Sequence, residues 1–188
     1  MSKPSWVIIL AEDRRQQTFV RRYLQRAGYS PGQIKLEALP GDKGSGEQWV
    51  RLLYAKNFEA YRSRMTRAAT ALIVVIDADT GSVSRRIEQL GIALADAGST
   101  RLSREEKIAH LIPKRNIETW IVCLSGVHAD ENIDYKQPQN VPVELKPIDE
   151  HIKPAAARFF EWTRPRAAFP GYCVDSLRQA IPEVQRLK

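Results

Sequence analysis

Soft-metal ligands and cross-linking residues are scarce in this chain of 188 residues, which has two cysteines and three histidines. His110, His128 and His151 stand in no ligand spacing, so no zinc site is readable. Cys123 and Cys173 are far apart in sequence and do not make a disulfide framework. Long apolar runs are also missing. The N-terminal one, Trp6-Val-Ile-Ile-Leu-Ala11, is far too short to span a bilayer, and no signal-peptide pattern precedes it. A cytoplasmic protein without a membrane segment is expected. The glycine loop Gly41-Asp-Lys-Gly-Ser-Gly46 lacks the Gly-Lys-Ser/Thr triplet of a Walker loop. Internal repeats and low-complexity tracts are absent, and the length suits one α/β domain with a small appendage.

What the chain has in excess is positive charge, 29 Lys and Arg against 22 Asp and Glu, a net +7 spread along the sequence. That balance favours polyanionic partners, nucleic acid first among them. The most informative stretch is Thr70-Ala-Leu-Ile-Val-Val-Ile-Asp77-Ala-Asp79. An unbroken branched apolar run suits a strand covered on both faces, as in a parallel sheet, and this one delivers two acids to its exit. Ligands of open α/β sheets gather beyond the carboxyl ends of the strands. If the chain stays extended through Ala78, both carboxylates project to one side and can hold one hard cation. The same acids could instead begin the turn into the next helix.

Other segments repeat the pattern. Trp6–Ala11 is a second buried strand ending on Glu12 and Asp13, followed by a helix with Phe19, Val20, Tyr23 and Leu24 on one face and Gly28 as its stop. Ile34–Leu39 and Ile108–Ile112 complete a set of four expected strands, with Ala71–Ile76 at the centre. The 41–46 loop enters a helix carrying Trp49, Tyr54, Phe58 and Tyr61, and it is either a phosphate cradle contributing Lys43 or a plain turn. Val83, Ile87, Leu90 and Leu94 keep helical spacing, and Asn116 caps a helix containing Glu118 and Trp120. Alternating strands and helices imply a mostly parallel sheet with helices on both faces. Asp130 to Pro147 reads as a polar, proline-bearing surface loop or an arm. An aromatic C-terminal extension follows, whose last helix Pro182 should interrupt. The expected division is a catalytic domain over 1–126 and an extension over 127–188 packed on it.

Parallel strands would bring Glu12, Asp77, Asp79 and Glu118 into one cleft. Clustered acids holding Mg²⁺ suit attack on a phosphodiester, and Lys114 and Arg115 stand beside Glu118 to meet phosphates. Glu12 after the first strand and Asp77-Ala-Asp79 after a later one make residues 5–125 resemble the Toprim fold of topoisomerases, primases and OLD-type nucleases. With Ile117-Glu118-Thr-Trp120, the chain is similar to small stand-alone Toprim-like proteins often encoded near ATPases in phage-defence loci. The resemblance implies an Mg²⁺- or Mn²⁺-dependent nuclease, with DNA ahead of RNA as substrate and an ATPase as partner. By it Asp77 and Asp79 would be metal ligands, Glu12 a co-ligand or general acid/base, and Glu118 supportive. Asp13 stands where the family has Gly, and Gln16 where it often has an acid.

Val7-Ile-Ile-Leu-Ala-Glu12-Asp13 also looks like the start of a receiver domain, in which Asp77 would accept a phosphoryl group with Lys114 nearby. A third reading keeps the Toprim-like fold as a binding subunit without turnover, and the Asp13 and Gln16 departures motivate it.

Overall fold

The computed structural model describes residues 3–41, 45–65, 69–103 and 105–187. Four strands are found among them: β1 (Trp6–Ala11), β2 (Ile34–Leu36), β3 (Thr70–Val75) and β4 (Ile108–Leu111). They form one parallel sheet in the order β2-β1-β3-β4, with Ile8 opposite Leu72 and Leu72 opposite Ile108. The period of two divides each strand between two cores. Val7, Ile9, Ile73 and Val75 face one side, Ile8, Leu10, Leu72 and Val74 the other, and all are at most 2% exposed. That double burial is why the strand sequences show no polar alternation.

Helices α2 (Gly46–Met65) and α3 (Val83–Asp96) cover the second face through Val50, Tyr54, Phe58, Leu90 and Leu94. The first face is covered by α1 (Arg14–Arg26), α4 (Ile117–Leu124), α5 (Ile152–Trp162) and α6 (Asp175–Gln185). Phe159 of α5 packs at ring-centroid distances of 5.6 Å from Phe19, 5.1 Å from Tyr23 and 6.1 Å from Trp120. Residues after Gly126 therefore share one core with β1, α1 and α4. No helix among the described residues is long and apolar enough to cross a membrane.

Three expectations need correction. β2 ends at Leu36, short of Leu39, because the next carbonyls are taken by side chains: Gln17 Nε2 donates to Glu37 O at 2.6 Å and Trp49 Nε1 to Ala38 O at 3.0 Å. α6 runs through Pro182 to Gln185, with Leu177, Ala180, Ile181 and Val184 buried, so apolar burial outweighs the one backbone bond that proline forfeits. The 130–147 segment is no free arm, since Tyr135, Val141 and Leu145 are buried in the first core at spacings that follow neither strand nor helix period.

β4 is an edge strand whose outer polar groups are met by α6. The His110 N–H donates to Glu183 Oε2 at 2.8 Å, and the Arg186 guanidinium donates to the Ile108 carbonyl. Side chains thus stand in for a fifth strand.

Candidate active site at the exits of β1 and β3

β1 and β3 are neighbours, yet the chain leaves them toward opposite edges of the sheet, which makes the gap beyond their carboxyl ends a topological switch point. The ladder from β3 to β4 continues past the strand end, with Ile76 N–H donating to Leu111 O at 3.2 Å and Ala78 N–H to Pro113 O at 2.8 Å. The intervening N–H, that of Asp77, points the other way. β1 has ended there, and Glu12 Oε1 accepts it at 2.9 Å. Gln16, in the first turn of α1, ties the two acids together. Its Oε1 accepts the Glu12 N–H at 2.9 Å, and its Nε2 donates to Asp77 Oδ1 at 2.8 Å. Asp13 caps α1 by accepting the Gln16 N–H at 2.9 Å. Both departures from the Toprim pattern thus have local duties in holding the acids.

Asp77 is wholly buried, and its second oxygen accepts from Lys136 Nζ at 2.9 Å. Burial first, and repulsion from Asp77 second, push the Glu12 carboxyl up to about 8. Burial raises Asp77 to about 7 against the opposing pull of Lys136, with Asp13 and Glu118 adding repulsion. For Lys136, burial disfavours the ammonium, but the charge and hydrogen bond of Asp77 outweigh it and hold the proton more tightly than usual. Both carboxyls thus hold their protons to higher pH than usual, and a bound cation would compete with those protons.

Glu118 is also fully buried, because α4 is covered on all sides and has no polar face for it to occupy. Its Oε1 accepts from Arg15 at 2.8 Å, while its Oε2 is buried without a hydrogen-bond partner. Arg15 also forks onto Asp149, at 2.7 and 3.1 Å. Asp79 goes elsewhere. The chain turns at Ala78, closing a bond from Gly81 N–H to Ala78 O at 2.8 Å, and Asp79 takes a left-handed φ of 53°. Its side chain is 56% exposed and meets Arg86 at 3.3 Å. The extended arrangement that would aim Asp77 and Asp79 to one side is not formed. Among the described residues no group of three or more His, Cys, Asp or Glu side chains is placed to hold a metal ion.

Arg115 lies 3.9 Å from Asp134 and Lys114 is half-buried near the start of α4, so both stand on the β4 side of the site. Lys43 lies outside the described residues. Sequence reasoning missed Lys136 and Arg15. Lys136 arrives on a segment without periodicity, fastened where Asp134 Oδ1 accepts from Asn116 Nδ2 at 2.7 Å and from the Lys136 N–H at 3.1 Å. Nothing in the pattern advertises it. Arg15 did leave a signal: the first turn of α1 holds Arg14 and Arg15 and no acid, against the helix dipole, which calls for a nearby anion. No family model, curated protein or solved structure matches the chain.

Proposed function

We propose that this chain is a Toprim-like, Mg²⁺- or Mn²⁺-dependent phosphodiesterase acting on nucleic acid, DNA ahead of RNA. The observation that carries the reading is the half-buried Glu12 beside the fully buried Asp77 at the switch point, both raised by desolvation and by neighbouring acids. Such a pair is costly in a fold unless something it binds compensates it.

The donor set suits a hard cation. Mg²⁺ commonly uses one or two carboxylates together with water and substrate phosphate, so a three-acid cage is not required. Glu12 and Asp77 would hold it, with the orphaned Oε2 of Glu118 as a reserve acceptor and Asp79 at the rim. When bound, the ion would neutralise phosphate oxygens and acidify water. The chain's own groups do the rest. Glu12, with its carboxyl near neutrality, can hold or pass a proton, while Gln16 fixes its backbone. Lys136 and Arg15 hold Asp77 and Glu118 in place through their ion pairs. The modest basic surface has no sequence-reading motif, so a partner, an ATPase by the Toprim-like resemblance, would supply target choice in a phage-defence or DNA-processing complex.

The test is a cleavage assay on single- and double-stranded DNA and RNA, in Mg²⁺ and Mn²⁺, with and without a candidate ATPase. Wild type should cleave, and Glu12→Ala and Asp77→Ala should not. Cleavage that survives both substitutions would sink the reading. A second reading, a binding subunit without turnover, is favoured by one observation: the Lys136 ammonium already neutralises Asp77. Thermal stabilisation by Mn²⁺ that Asp77→Ala abolishes argues against it. The phosphoacceptor reading calls for Lys114 beside Asp77, whereas the lysine that meets Asp77 is Lys136.

A further inference from the structure

The two cysteines stand far apart in sequence and meet in the fold. Cys123 lies in the last turn of α4, and Cys173 comes just before α6, in a turn that its own N–H closes onto Pro170 O at 3.0 Å. The Cys123 Sγ donates to the carbonyl of Tyr172, the residue before Cys173, at 3.8 Å, and the Cys173 Sγ donates to Val174 O at 3.7 Å. The thiols are also in hydrogen-bond reach of each other, and both are free. Their backbones are held on either side. α4 is buried all round, and Arg178 of α6 clamps the turn by donating Nε to Cys173 O at 2.8 Å and Nη2 to Gly171 O at 2.9 Å and Pro170 O at 3.3 Å. A disulfide asks for such an approach, with Cβ atoms about 4 Å apart.

A thiol reacts as its thiolate. Hydrogen bonding from Cys173 lowers the Cys123 thiol, with Arg178 assisting and burial and Glu131 opposing. Cys173, on the donating side of that contact, is raised. One sulfur is set to attack and the other to resolve. Both cysteines are buried, but Gly171 and Tyr172, directly before Cys173, are exposed, and a small oxidant has only that turn to pass. We propose that Cys123 and Cys173 form a reversible disulfide when the protein meets hydrogen peroxide. The Cys123 sulfur attacks one peroxide oxygen, the O–O bond breaks, and the other oxygen leaves with the thiol proton as water. The Cys173 sulfur then attacks the Cys123 sulfenic acid. The S–S bond forms, the S–O bond breaks, and the hydroxyl leaves as water with the Cys173 proton. Each sulfur gives up one electron, and the peroxide takes both. A dithiol reductant returns them. The ring closed in this way contains the 130–147 segment with Lys136 and all of α5, so the bond ties the extension to α4 whatever the acid centre does.

The experiment treats the full chain with hydrogen peroxide and maps its cysteines by peptide mass spectrometry, on wild type, Cys123→Ala and Cys173→Ala. Wild type should lose the mass of two hydrogens, yield a Cys123–Cys173 cross-linked peptide, and regain both thiols in dithiothreitol. Closing a long loop restricts the unfolded chain, so the oxidised monomer should melt about 5 °C or more above the reduced one. In both variants peroxide should leave the melting midpoint unraised. Where a variant fails to fold by circular dichroism, the wild-type map and melting shift decide alone. Thiols that survive the treatment, sulfinic or sulfonic acid in place of the bond, bonds between chains, or an oxidised monomer that melts no higher than the reduced one would each overturn the proposal.

Discussion

The backbone N–H of Asp77 donates to the Glu12 carboxylate at 2.9 Å, so an acid at the end of one strand completes the ladder of its neighbour. This one bond gives Glu12 a structural task and, in the same geometry, brings its charge against that of Asp77. The two roles separate by pH.

Both carboxyls hold protons to higher pH in the folded chain than their ordinary values of 4.5 and 3.8, Glu12 to about 8 and Asp77 to about 7. The folded state therefore binds more protons than the unfolded one in between. Stability from this source is fully present below the ordinary values and is lost as pH rises through the folded ones. In metal-free buffer, unfolding in urea at about pH 5.5 and about pH 8.5 should show a loss of up to about 5 kcal/mol from the pair. Glu12→Gln with Asp77→Asn should flatten that slope. Mg²⁺ or Mn²⁺ should raise the thermal midpoint of wild type more at the higher pH than at the lower. An equal response at both would show that the cation does not compete with protons at these carboxyls.

Lys136 is the resident counter-charge of Asp77, and its side chain is 38% exposed, so solvent screens part of the pair. Lys136→Met should cost about 1–2 kcal/mol at alkaline pH, below the value for a fully buried pair, and much less near pH 5, where Asp77 is protonated. The same variant should bind Mn²⁺ more tightly, because the ammonium no longer competes for Asp77. A thermal-shift titration reads both effects, and weaker Mn²⁺ binding would show that Lys136 assists the metal instead of excluding it.

Glu183 covers the edge of β4 by accepting the His110 N–H, and His110 itself is neutral, its ring pushed down to about 3 by burial and by Arg186. Glu183→Ala should leave that N–H to water or unpaired, at about 1–2 kcal/mol. Hydrogen exchange at the His110 amide should quicken while the amides of β1 stay protected. Unchanged exchange at His110 would mean that the edge is closed by other groups.

The sheet was legible because double burial writes itself as uninterrupted branched apolar runs, and Glu12 and Asp77 were legible because they end two such runs. The turn at Asp79 was not legible because a left-handed turn residue leaves no mark beyond its being an Asp, which that conformation tolerates. Gln16 looked like a lost acid from sequence, although its amide can donate to one carboxylate while accepting from the backbone of the other, which an ionised acid cannot do. Lys136 depends on where irregular backbone is pinned by Asn116 and Asp134, and no periodicity encodes that.

Gly46 opens α2 against the other side of Glu12. A Cβ there would stand 2.8 Å from the Glu12 Cβ and 3.0 Å from its carbonyl oxygen, both atoms that cannot swing aside as a flexible side-chain end could. Something must move, and β1 is fixed by its pairing with β2 and β3, so the displacement falls on the start of α2 or on Glu12 itself. Gly46→Ala improves intrinsic helix propensity by up to about 1 kcal/mol, but at the first helical position little of that is realised, and overpacking costs about 1–3 kcal/mol. The variant should therefore be less stable than wild type in urea. If α2 yields, the Glu12 carboxylate stays on the Asp77 N–H and the metal response of the melting midpoint is kept. If Glu12 yields, the hydrogen bond and the metal response go together. Gly46→Ala as stable as wild type, with an unaltered response to Mn²⁺, would show that the packing between α2 and Glu12 is looser than the structure has it.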